Sequence, residues 1–197
     1  MHGNLSSYPG QKATLDDWCN HLNCIWPEVR VRQFLEMRGA DNGPTEMIKA
    51  LPALWVGLLY DEEALDQAYE MIKDWTAEDR EYLRAAAPVN GLKTKFMGTT
   101  VQDIAKNVVN FAEYGLKRRN VRNDNGDTEA VYLEPLQEIV ETGLNWAEIL
   151  VNKYENEWGC DVRKVFTEMS YKRDPSVLSK KMHVPSAKQM RDLKIKK

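Results

Sequence analysis

Arg30, Arg32, Glu36 and Arg38 are the residues of this 197-residue chain with the strongest claim to chemistry. They fall in the run from Pro27 to Asp41, which alternates with the period two of a β-strand. Val29, Val31, Leu35 and Met37 share one face of that strand. Arg30, Arg32, Phe34, Glu36 and Arg38 share the other. Glu36 and Arg38 are two apart, so their side chains point the same way from Cα atoms roughly 6.5–7 Å apart. Such a pair could hold Mg²⁺ on the carboxylate while the arginine reaches a phosphate bound to the same metal. It could also be an Arg–Glu–Arg salt-bridge ladder across a sheet. The alternation by itself leaves both readings open.

Other chemistry is poorly served. The chain carries no P-loop, no Gly-x-Gly-x-x-Gly, no His-Glu-x-x-His and no Gly-x-Ser-x-Gly. Its three histidines are scattered, which argues against a histidine-based triad. Cys19 and Cys24 flank His21, but no four-ligand zinc spacing is completed nearby. They read as two small residues in a helix and its exit loop. With Cys160 they make an odd, sparse set, which fits a reducing compartment rather than a disulfide framework. Glu62, Glu63, Glu78 and Glu81 read as solvated helix faces.

The 43% hydrophobic and 29% charged content is that of an ordinary soluble domain, and six tryptophans imply a substantial core. No apolar run approaches the ~20 residues that span a bilayer. The first residues lack the basic and apolar regions of a signal peptide, so a cytoplasmic location is expected. The net charge of −3 hides an asymmetry. Residues 172–197 hold nine Lys/Arg and two Asp, a net of +7, which leaves −10 on the remainder. An acidic body with a short basic tail predicts neither a nucleic-acid-binding nor a membrane protein.

The elements that must position the arginine-rich strand are almost all helical. Thr14-Leu15-Asp16-Asp17 opens a helix to about Asn23, and Pro27 ends it before the strand. Gly39 to Pro44 is a turn. Thr45 to Leu59 reads as a buried helix with a kink or break at Pro52. Asp61 to Trp75 is amphipathic, and Thr76 caps a helix to about Ala87, closed by Pro88 and Gly91. Thr100 caps the next helix, with Lys117, Arg118 and Arg119 at its C-terminal end. Residues 120–128 form a polar loop. Helices follow around Leu133–Val140, from Asn145 to Trp158, and from Asp161 to Tyr171. The predicted fold is mainly α, roughly seven helices with one strand. That lone strand must pair with an unrecognised strand or with sequence outside this chain.

Several runs together resemble one family. They are Asp17-Trp18, His21-Leu22, Pro27-Glu28-Val29-Arg30, Leu35-Glu36-Met37-Arg38-Gly39-Ala40-Asp41, Leu51-Pro52-Ala53, Trp55-Val56-Gly57-Leu58-Leu59-Tyr60-Asp61, Asp74-Trp75-Thr76, Gly115-Leu116-Lys117-Arg118-Arg119 and Glu157-Trp158-Gly159. Over about residues 9–171 the chain is similar to glutamate–cysteine ligases of the plant and proteobacterial type. Cys19, Cys24, Trp26 and Gln33 depart from the family pattern, and residues 172–197 look like nothing in it.

The resemblance implies an ATP- and Mg²⁺-dependent joining of L-glutamate to L-cysteine, giving γ-glutamylcysteine for glutathione synthesis. It implies the C-terminal part of an α+β, glutamine-synthetase-like carboxylate–amine ligase fold. It makes Glu36 a metal ligand and Arg38 the catalytic, phosphate-contacting arginine. Arg30 and Arg32 become candidates for cofactor phosphate or for structural support, and Asp41 shapes the turn. The organisation implied is a flexible leader over 1–13, the ligase portion over 14–171, and a basic, disordered tail over 172–197. The family pattern is entered in its middle, so the chain is expected to be inactive alone and to need an N-terminal half as partner. The alternative is a non-catalytic helical module or remnant that pairs with a separate N-terminal chain.

Overall fold

Four helices start from one local device. Thr14, Thr76, Thr100 and Asn145 are followed three residues on by Asp17, Asp79, Asp103 and Glu148. In each case the cap side chain accepts the N–H of the acid, and the acid accepts the N–H of the cap. All four acids are held below the usual carboxylate range. The chief cause is the cap backbone N–H for Asp17, Asp79 and Glu148, and the Thr100 hydroxyl for Asp103. A lowered folded-state pKa gives stability that is present above the unfolded value and lost as pH falls through the folded one. Tm should therefore be flat from about pH 8 to 5 and fall below about pH 4. Asp103→Asn should lower Tm at pH 7 and shrink the acid-induced drop. A Tm unchanged down to about pH 3 would contradict this account of the caps.

The computed structural model describes residues 9–24 and 26–170. Among these are eight α-helices: α1 Leu15–Asn23, α2 Thr45–Leu59, α3 Glu62–Ile72, α4 Ala77–Asn90, α5 Val101–Arg119, α6 Glu134–Thr142, α7 Trp146–Asn152 and α8 Lys164–Glu168. There are two antiparallel hairpins, β1 Val29–Val31 with β2 Leu35–Met37, and β3 Lys95–Phe96 with β4 Thr99–Thr100. A 3₁₀ segment, Glu129–Leu133, leads into α6, and a π-helical turn, Lys153–Glu157, extends α7. No helix among the described residues is long and apolar enough to cross a membrane.

The body is organised by α2 crossing α5. Ala50, Ala53, Gly57 and Leu58 are the buried residues of α2, and Val109, Ala112, Gly115 and Leu116 those of α5. Both sets recur at three- and four-residue intervals, the stripe expected of a packed helix face. Ala130 and Leu133 close the same cluster. Small alanines and glycines line the crossing, Leu58, Leu116 and Leu133 fill the cluster, and of the six tryptophans Trp55 packs half-buried against it. Trp158 alone of the six is buried, with its Nε1 donating to Glu168 Oε2 at 2.8 Å, while Trp18 and Trp26 are exposed. Pro52 lies inside α2 and Pro88 inside α4, and neither ends its helix. Both face solvent, where water can satisfy the carbonyls they free.

The expectation of one strand is corrected. The Pro27–Asp41 run folds back on itself, and β1 finds its partner in β2 within the same run. Arg32, Gln33 and Phe34 make the connection, with Arg32 N donating to Phe34 O at 2.9 Å. The second hairpin, turning at Met97 and Gly98 with positive φ at both, was not anticipated. Its two-residue strands are too short to show an alternation. Residues 1–8 of the expected leader and all of the expected 172–197 tail lie outside the described residues.

Candidate functional site

The hairpin assembles the candidate residues. Its register sets Val29 opposite Met37, Arg30 opposite Glu36 and Val31 opposite Leu35. Every pair joins residues of equal parity, because the fold-back is centred on Gln33. The face predicted for a continuous strand therefore survives the turn, and Arg30, Glu36 and Arg38 meet on it. Arg38 N donates to Glu28 O at 2.8 Å, which extends the ladder past β2.

One carboxylate gathers three guanidiniums. Arg30 Nε donates to Glu36 Oε2 at 2.7 Å, Arg32 Nε lies 3.5 Å from the same oxygen, and Arg38 Nη1 lies 3.4 Å from Oε1. The guanidinium of Arg38 also lies over the Trp26 ring, 4.7 Å from its centroid. Arg38 is the least exposed of the three side chains at 19%, and Arg32 the most at 52%. The hydrogen bond from Arg30, chiefly, holds Glu36 below the usual carboxylate range, helped by the charges of Arg38 and Arg32. Glu36 is ionised at neutral pH.

The cluster carries three positive charges and one negative. No other described carboxylate pairs with these arginines. An excess of planar, fork-shaped donors suits the oxygens of a phosphate. It suits a bare dication poorly. Glu36 is one carboxylate with both oxygens already engaged, and the described residues contain no group of three or more His, Cys, Asp or Glu placed to hold a metal. Cys19, Cys24 and Cys160 are free and exposed. Asp41 accepts the N–H of Asn42 at 2.8 Å, as a turn residue does.

The site's surroundings are unfinished. α1 has no buried residue, and Leu15, Trp18 and Leu22 along it are exposed. Val31, Phe34 and Leu35 of the hairpin are exposed as well. Neither element packs extensively on the helical body. Beyond Arg38 the chain runs through Ala40–Pro44 along the edge of a cleft of about 1920 Å³, walled by α2, α4, α6 and α7.

Trp26 is a contributor that the residue pattern missed, because it lies outside the alternating run. A second network was also missed. Asp61 caps α3 by accepting Ala64 N at 3.0 Å and accepts Arg118 Nε at 2.9 Å. Glu63 accepts the Tyr114 hydroxyl at 2.5 Å and pairs with Arg118. Glu63 is on a solvated face, as expected, and from there it also ties α3 to the end of α5. Its carboxyl is lowered first by Tyr114 and then by Arg118. The Tyr114–Arg118 spacing of four, facing Asp61-x-Glu63, was the available signal.

Comparison with known proteins shows what the whole described stretch is similar to. The model of glutamate-cysteine ligase family 2 matches residues 2–168. A chloroplastic glutamate–cysteine ligase of Nicotiana tabacum is 47% identical over 171 residues, covering 87% of this chain and 32% of that protein. The chloroplastic glutamate–cysteine ligase A of Oryza sativa subsp. indica is 46% identical over the same length, covering 34% of that protein. The Arabidopsis thaliana chloroplastic glutamate–cysteine ligase is 45% identical and is covered to 32%. The chain spans about a third of the length of these relatives. Their names overturn the expected cytoplasmic location. Cysteine content does not distinguish one reducing compartment from another.

Proposed function

Since the chain belongs to the glutamate–cysteine ligase family, we propose that its hairpin is one wall of the nucleotide site in an ATP-dependent ligase that forms γ-glutamylcysteine from L-glutamate and L-cysteine. The observation that carries this reading is the surplus of two positive charges around Glu36. A ladder that served stability alone would be expected to balance its charges. Arg30 and Arg32 bind phosphate oxygens. Arg38, fixed between Glu36 and Trp26, steadies charge on the transferred phosphoryl group. Glu36 orients the three guanidiniums, and it would reach Mg²⁺ only by releasing an oxygen that arginine now holds. Further ligands come from the phosphates and from sequence outside this chain. When bound, Mg²⁺-ATP supplies the phosphoryl group that activates the γ-carboxylate of glutamate for attack by the cysteine amine.

This reading assigns the helical body to the α+β, glutamine-synthetase-like ligase fold. It makes the exposed faces of α1 and the hairpin the places where the remaining two-thirds of the relatives' length would pack. The relatives' names support a plastid as the setting. Alone, the 197-residue chain should show no release of phosphate dependent on ATP, glutamate and cysteine together. Such a release, lost in Glu36→Ala, would sink the claim that the wall needs the rest of the site. The second reading, a non-catalytic helical module that pairs with a separate chain, draws on the engagement of both Glu36 oxygens by arginine. Substitution of Arg38 separates the two.

A further inference from the structure

We infer that the cleft walled by α2, α4, α6 and α7 is a docking site for this chain's own basic segment, residues 171–197. Much of the cleft lining is apolar, with the half-buried Met47, Leu51, Leu54, Trp146 and Leu150 among its residues. Its charged lining is unbalanced. Asp41, Glu46, Glu148, Glu155 and Glu168 face it against only Lys49 and Lys93. Lys93 is already matched, since its Nζ lies 3.1 Å from Glu148 Oε1. Glu46 and Glu155 are exposed and have no ion-pair partner among the described residues.

The segment that follows has the opposite character. The cleft lining includes Glu168, Met169 and Ser170, the last described residues, so the described chain ends at the cleft. From there the sequence carries nine Lys/Arg and two Asp, interspersed with Leu178, Met182, Met190, Leu193 and Ile195. Apolar side chains spaced among cations match a lining of apolar residues and unbalanced acids, in the manner of a peptide laid in a groove. The tether makes the contact intramolecular, so weak individual contacts suffice for occupancy. The family match ends at residue 168, which leaves this segment outside the part shared with the ligases.

The test is zero-length carbodiimide cross-linking of the full 197-residue chain, with the joined peptides mapped by mass. Lysines of 180–197 should join Glu46 and Glu155 in preference to Asp66 and Glu70 on α3, which do not line the cleft. Mixed isotopically light and heavy chains should give no mixed products. Glu46→Lys with Glu155→Lys should lower the yield to Asp41 by about tenfold, two lining charges having turned from attraction to repulsion. Leu193→Asp with Met190→Asp should lower it too, with helical content by circular dichroism unchanged. Yield should fall as salt rises toward ~1 M, where screening acts within about 3 Å. Equal joining to Asp66 and Glu70 would overturn the inference. So would products only between chains, which assign the cleft to a second copy, or yields indifferent to both pairs of substitutions.

Discussion

Arg38→Ala, introduced into this chain and assayed with the remaining portion of the ligase supplied, is expected to lower kcat by about 10²–10³-fold. Arg38 is the arginine best prepared to act on charge that develops during phosphoryl transfer. It is only 19% exposed, lies 3.4 Å from Glu36 Oε1 and stacks 4.7 Å from the centroid of Trp26. A donor held in place on two sides needs little reorganisation when charge appears. Lysine keeps the charge but loses the planar fork and the stacking, so Arg38→Lys should recover less than about a tenth of the lost rate. Arg32, 52% exposed and 3.5 Å from Glu36, is the loosest member. Arg32→Ala should act mainly on KM for ATP. The Arg30–Glu36 pair remains in both variants, so helical content by circular dichroism should be unchanged. An unaltered kcat in Arg38→Ala would hand the cluster to the salt-bridge reading.

Gly57→Ala and Gly115→Ala should each destabilise the chain by more than about 3 kcal/mol, lowering Tm by on the order of 10 °C. In an ordinary helix the same change would stabilise by up to about 1 kcal/mol, because alanine is the better helix former. The sign reverses at the crossing of α2 and α5. A Cβ on Gly57 would fall inside contact distance of the Ala112 carbonyl, and one on Gly115 inside that of the Gly57 carbonyl. These are backbone atoms of two packed helices, so relief requires the helices to separate and the Ala53–Ala112–Leu116–Leu133 cluster to open. Gly39→Ala is the control. A Cβ there meets nothing within 4 Å, and the cost should stay within about 0.5 kcal/mol. Equal melting of all three variants would contradict the close-crossing account.

Much of this was legible from residue types. Cap-and-acid pairs located the starts of α1, α4, α5 and α7 because both halves of each device lie within four residues. The face holding Arg30, Glu36 and Arg38 was legible because a turn centred on one residue preserves parity. The turn itself was not, since Arg32-Gln33-Phe34 contains no glycine, proline, asparagine or aspartate. The Pro88 position in α4 was misread for a local reason. A proline on an exposed helix face, two residues from the helix end, is tolerated because water can satisfy the carbonyl it frees. The tryptophans misled because their burial depends on what covers them. Trp18 and Trp26 sit on α1 and beside the hairpin, elements whose apolar faces meet little of the described chain. The role of Trp26 over Arg38 is a tertiary fact that no spacing encodes.

The arginine–glutamate wall is expected to work only as part of a larger site. The direct measurement is γ-glutamylcysteine formed from ATP, Mg²⁺, glutamate and cysteine, with this chain alone and with the other two-thirds of a relative's length added as a separate polypeptide. The expected result is no product from either piece, product from the mixture, and loss of that product when the chain carries Glu36→Gln or Arg38→Ala. Product from the chain alone, or product from the mixture that both substitutions leave untouched, would contradict it.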